Sequence, residues 1–143
     1  MSEELLKLRA VDTEDMQVIS AVLQDSIVPV CDIAFEAESQ SFILIAQRLR
    51  RETNNVAERI CCAVHIHAVS GVQTHSIDLH HKERMLDLLA IMLEPDGRTL
   101  SLIFASDARV KLQITSCHVT LADFGQPWPA LCSPCHEEAG KGS

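Results

Sequence analysis

Cys61, His65 and His67 are the residues whose types and spacing most suggest chemistry. They stand at even intervals, and on a β-strand residues two apart share a face, so the thiol and both imidazoles would project together. Thiolate and imidazole suit zinc or another borderline metal, and His75, His80 or His81 could supply a fourth ligand. No carboxylate is spaced to complete such a site. The plainer reading is a solvated sheet face carrying two histidines, with Ile60, Cys62, Val64 and Ile66 packed inward. No cofactor is therefore expected, although zinc is one these residues could hold.

Cys132-Ser133-Pro134-Cys135-His136 matches the C-x-x-C-H pattern of covalent haem attachment. Haem attachment requires export, and the sequence opens Met1-Ser2-Glu3-Glu4 without the basic and apolar stretches of a secretory signal. A redox pair at this spacing ordinarily opens a helix, where the thiolate is stabilised. Pro134 and a position after the last strand signal argue against that. Two incidental thiols in a tail are the simpler expectation, and haem is not expected.

Gln24, Asp25 and Arg48 form the third group. An acid at a helix C-terminus opposes the helix dipole, so Asp25 should seek a cation, and Arg48 could supply it. The functional reading is a polar ligand pocket between the helix end and a sheet. The structural reading, an ion pair that fixes the helix, is favoured. There is no glycine-rich phosphate loop and no Gly-x-Ser-x-Gly elbow.

Composition narrows the function classes. The net charge is −8, which opposes binding to phosphate backbones and to anionic lipid surfaces. Four Phe, one Trp and no Tyr offer few platforms for base stacking. Neither a nucleic-acid nor a membrane partner is expected. No stretch approaches the roughly 18 apolar residues of a membrane helix. The protein is expected to be cytoplasmic, with its six cysteines as reduced thiols.

The elements that must position these groups can be read from periodicity. Residues 5–10 alternate as a strand. A helix follows, capped by Asp12 or Thr13, with Glu14 and Asp15 in its first turn and Met16, Ile19, Val22 and Leu23 as its apolar stripe. Pro29 should end that region. Residues 28–36 and 41–49 read as a hairpin, 50–57 as a polar loop and 59–69 as a strand, with a bend or bulge at Ser70-Gly71 before 72–77. Met85–Leu93 fits both a helix and a strand, and Glu94-Pro95-Asp96-Gly97 tips it to a buried strand paired with residues 100–104. Residues 109–115 alternate cleanly, and a parity change near Ser116 suggests a bulge. Trp128 should pin the segment after Gly125. The expectation is an α+β fold: one N-terminal helix packed on a strongly bent antiparallel sheet, or partly open barrel, of about seven strands. Residues 1–130 would form one domain and 131–143 a flexible tail.

The order of several pieces carries a family resemblance. These are Leu8-x-Ala10-x-Asp12, Ser20-Ala21-x-x-Gln24-Asp25, Arg48, Leu88-Leu89-Ala90-Ile91, Leu100-x-Leu102-x-Phe104-Ala105, Arg109-x-Lys111-Leu112, Leu121-x-Asp123 and Trp128. Across residues 5–130 the chain resembles an alphaproteobacterial domain family of unknown function. The resemblance implies a cytoplasmic bacterial protein without an assigned activity and transfers no catalytic residue.

The function expected from all this is a non-enzymatic binding or scaffold domain for a protein segment or small ligand, with a protein partner or a second copy as candidates. The alternatives are a metal-binding protein using His65, His67 and Cys61, and an enzyme with a dispersed polar site near Asp25 and Arg48.

Overall fold

The structure, a computed structural model, describes residues 5–50 and 57–130. Its ten strands and one helix follow the chain as β1 (Lys7–Ala10), α1 (Thr13–Leu23), β2 (Ser26–Pro29), β3 (Ile33–Glu36), β4 (Ser41–Arg50), β5 (Glu58–Ile66), β6 (Val69–His75), β7 (Met85–Leu93), β8 (Thr99–Phe104), β9 (Arg109–Ile114) and β10 (Val119–Pro129). A 3-10 turn, Val30–Asp32, joins β2 to β3.

The strands form one antiparallel sheet in the order β1-β10-β5-β4-β2-β7-β8-β9-β6, with β3 paired beside β2 on β4. The sheet does not close: β1 and β6 are its end strands. Ten strands replace the expected seven or so. The excess arises where the chain breaks a single apolar run in two. The run 28–36 becomes β2 and β3 because Pro29 leads into the 3-10 turn. The run 59–69 ends at Ile66, because Ala68 takes the left-handed conformation at φ 59 and redirects the backbone into β6. The parity change near Ser116 likewise marks a break rather than a bulge. It separates β9, which pairs with β6 and β8, from β10, which pairs with β1 and β5. The irregularity expected at Ser70-Gly71 is present as a register shift between Val69 and Gly71.

The core draws buried residues from α1 and from strands across the sheet, and α1 packs on it against β7, β1 and β4. Met16, Ile19 and Leu23 project from the helix onto Val28, Leu44, Leu88, Ile91 and their neighbours, all essentially inaccessible. The helix starts where expected. The Asp12 carboxylate accepts from the Asp15 N–H at 2.8 Å, and the Asp15 carboxylate accepts from the Val11 N–H at 3.1 Å, satisfying two otherwise orphaned donors. It stops at Leu23, since Gln24 is extended and Asp25 is left-handed at φ 69. Asp25 N–H then donates to the Leu88 carbonyl at 2.8 Å, which sends the chain straight into β2 against β7.

Met85–Leu93 is a strand, and its helix-like appearance has a cause. A register shift between Leu88 and Ala90 inserts an extra residue against β8. Buried positions therefore fall at Leu86, Leu88 and Ile91, a spacing of two and then three, which resembles a helical period.

Candidate functional site

The helix does not seal the strand it covers. Between α1 and β7 runs a groove of about 410 Å³, lined on one side by Thr13, Met16, Gln17, Ser20 and Gln24 and on the other by Leu89, Ile91, Met92 and Leu93 of β7. Its floor is apolar, and Leu89 and Met92 stand 43% and 47% exposed on its strand side. The Ser20 hydroxyl accepts from the Ile91 N–H at 3.0 Å, so the helix is tied to β7 at one point within the groove. Gln24 reaches this groove, and Asp25, exposed, follows it in the chain.

Arg48 does not join them. Its guanidinium clasps Asp123 instead, Nε to Oδ1 at 2.9 Å and Nη2 to Oδ2 at 2.8 Å, with both groups buried. The same carboxylate accepts from the Leu6 N–H at 2.9 Å, which fastens the lead into β1. The expected Asp25–Arg48 pair is therefore replaced by an Arg48–Asp123 pair across β4 and β10. The reason is direction: Arg48 continues the inward parity of Leu44 and Ala46, and Asp123 that of Val119 and Leu121. Near Asp25 the cation is Arg59, whose Nη1 donates to the carbonyls of Asp25 and Gln47 at 3.1 and 2.8 Å.

His65 and His67 do come together, joined by His118 rather than by Cys61. The rings stack in series, His65 on His67 at 3.8 Å and His67 on His118 at 4.2 Å. Stacked rings hold their in-plane nitrogens side by side instead of aiming them at one point. His65 Nε2 is engaged by Ser41 Oγ at 2.9 Å. Desolvation, reinforced by the two flanking imidazoles, lowers the pKa of His67. Cys61 is disulfide-bonded, contrary to the expectation of six reduced thiols, and a half-cystine offers no thiolate to a metal. His75, His80 and His81 lie within 3.4 Å of Asp107, Asp78 and Glu83 respectively. Among the described residues no group of three or more His, Cys, Asp or Glu is arranged to hold a metal ion. The C-x-x-C-H segment at Cys132 to His136 lies outside the described residues.

Among the described residues the remaining thiols are poorly suited to chemistry. Burial, with the Asp123 carboxylate beside it, pushes the Cys62 thiol up to about 12, although Arg48 acts in the other direction. Cys31 and Cys117 are also raised, chiefly by desolvation. A larger hollow, about 610 Å³, lies on the β6–β9 hairpin and is lined by Gln73, Thr74, His75, Arg109 and Lys111. Its walls are exposed polar side chains, and Arg109 and His75 both lean on Asp107, so it lacks the apolar floor of the α1–β7 groove.

No helix among the described residues is long and apolar enough to cross a membrane. Neither the curated proteins nor the solved structures contain a match to this chain. A family model described as protein of unknown function (DUF2948) matches residues 6–136, a span that takes in α1, the groove and the Arg48–Asp123 pair. The chain belongs to that family.

Proposed function

We propose that this protein is a non-enzymatic binding domain whose α1–β7 groove receives a segment of a partner protein. The observation that carries this reading is the pairing of an apolar trough with partly exposed Leu89 and Met92 along a strand. Burying such side chains is worth about 25 cal/mol per Å² of apolar surface. The volume also falls in the range of about 300–1,000 Å³ typical of ligand sites. A protein segment is favoured over a compact small molecule because the groove follows a helix and a strand lengthwise and holds only a few polar groups, Gln17, Ser20, Gln24 and Thr13. An enzymatic reading has less support: Arg48 and Asp123 are consumed by each other, and Cys62 is held protonated.

The test uses the full-length chain with labelled methyl groups and a panel of small apolar probes such as benzyl alcohol and cyclohexanol. The expected result is a cluster of shifted methyl signals from Met16, Leu89, Ile91 and Met92. Shifts confined to the β6–β9 hairpin, or scattered over the surface, would contradict the reading.

A further inference from the structure

The hollow of about 610 Å³ on β6 and β9 is lined by Gln73, Thr74, His75, Arg109 and Lys111. Strand register sets their arrangement. Arg109 and Lys111 stand two apart on β9 and share a face. His75 opposes Arg109, and Gln73 opposes Lys111. The Cβ atoms of opposed residues lie about 5 Å apart, and those of neighbours along one strand face about 7 Å. The four groups thus mark a small rectangle, with Thr74 at its β6 margin. The charge of this patch runs against that of the chain. No carboxylate lines the hollow, although the chain carries −8. Asp107, in the β8–β9 turn, touches Arg109 Nη2 at 3.3 Å and His75 Nε2 at 3.4 Å. Each contact is single and its side chains are at least half exposed, so water screens it and most of the five guanidinium donors stay open. Lys111 makes no ion pair among the described residues.

We infer that this hollow binds the phosphate group of a small molecule. Arg109 offers paired N–H donors that match two phosphate oxygens, and Lys111 brings a flexible ammonium to a third. Gln73 and Thr74 add an amide and a hydroxyl as neutral donors. The hollow is as large as sites that take whole small molecules, which leaves room for an organic remainder. The overall charge repels a polyanion such as a nucleic-acid backbone, so the ligand is small. This site is separate from the α1–β7 groove, and neither requires the other.

The experiment titrates the full-length, ¹⁵N-labelled chain with inorganic phosphate and with glycerol 3-phosphate, sodium chloride holding the ionic strength constant. Expected are saturating amide shifts at Gln73, His75, Arg109 and Lys111, and an affinity at least fivefold lower in Lys111→Gln and in Arg109→Gln. Both side chains are exposed, so these variants should fold. Lys7→Gln, on β1, should bind like the unaltered chain. Tighter binding of glycerol 3-phosphate than of phosphate assigns the group to an organic ester, and equal or weaker binding assigns it to free phosphate. Shifts that map elsewhere, shifts that do not saturate, or an unchanged affinity in either β9 variant would overturn the site.

Discussion

At the scale of single residues the Arg48–Asp123 pair dominates. Two charges withdrawn from water gain little over an apolar pair, but removing one of them strands the other. Asp123→Asn keeps an acceptor for the Leu6 N–H yet leaves Arg48 uncompensated. Urea unfolding should show a loss of about 3–5 kcal/mol, whereas the double variant Arg48→Met, Asp123→Leu should lose less than the single one. Strand parity marks the pair in the sequence. Asp123 stands on the inward parity of Val119 and Leu121, and Arg48 on that of Leu44 and Ala46, so each required a buried partner of opposite sign. The helix dipole, a local effect, pairs Asp25 with Arg48, whereas strand parity, which acts across the sheet, pairs Arg48 with Asp123. The stacked histidines make a pH statement. The pKa of His67 is lowered in the folded state, so between its folded value and the ordinary value of about 6.5 the unfolded chain binds more protons. Stability is complete above about pH 6.5 and falls as acid takes pH down through that window. His67→Gln should flatten this part of the stability–pH curve, and thermal unfolding from pH 7.5 to 5 would show it. The thiols should follow burial. Among the described free cysteines, Cys31, exposed, should react before Cys117 with a disulfide reagent under native conditions, and Cys62 only after unfolding.

At the scale of elements, α1 and its turn into β2 set the groove. Asp12 caps the helix, and Asp12→Ala should cost about 1 kcal/mol in urea unfolding. Asp25 closes the turn at φ 69, a conformation that Asp and Gly tolerate and β-branched residues do not. Asp25→Gly should therefore leave stability nearly unchanged, whereas Asp25→Val should lose about 1–2 kcal/mol. Comparable losses for both would show that the Asp25 side chain, rather than its backbone, is what matters. Periodicity revealed the helix and its cap because both are local. It blurred β7, where one inserted residue shifts the buried parity and imitates a helix. The clean alternation of Arg109–Ile114 was readable because no bulge interrupts it.

At the scale of the whole molecule, one helix covers part of a ten-stranded open sheet. The α+β class and the antiparallel character follow from a single helical stripe and turn-separated strands. The strand count does not, because Pro29 and Ala68 divide runs that composition presents as continuous. The sheet order is further from reach. The adjacency of β2 to β7 joins residues some sixty positions apart, and without it the groove does not exist. The groove is thus a product of tertiary order: Gln24 could be named from the chain, but Ser20, Leu89 and Met92 become a site only when β2 ends its pairing at Leu88. Hydrogen exchange at single amides tests this account most directly. The account predicts that saturation with an apolar probe such as benzyl alcohol slows exchange of the amides along residues 89–93 and leaves those of the β6–β9 hairpin unchanged. Slowing confined to the β6–β9 hairpin, or no slowing along residues 89–93, would contradict it.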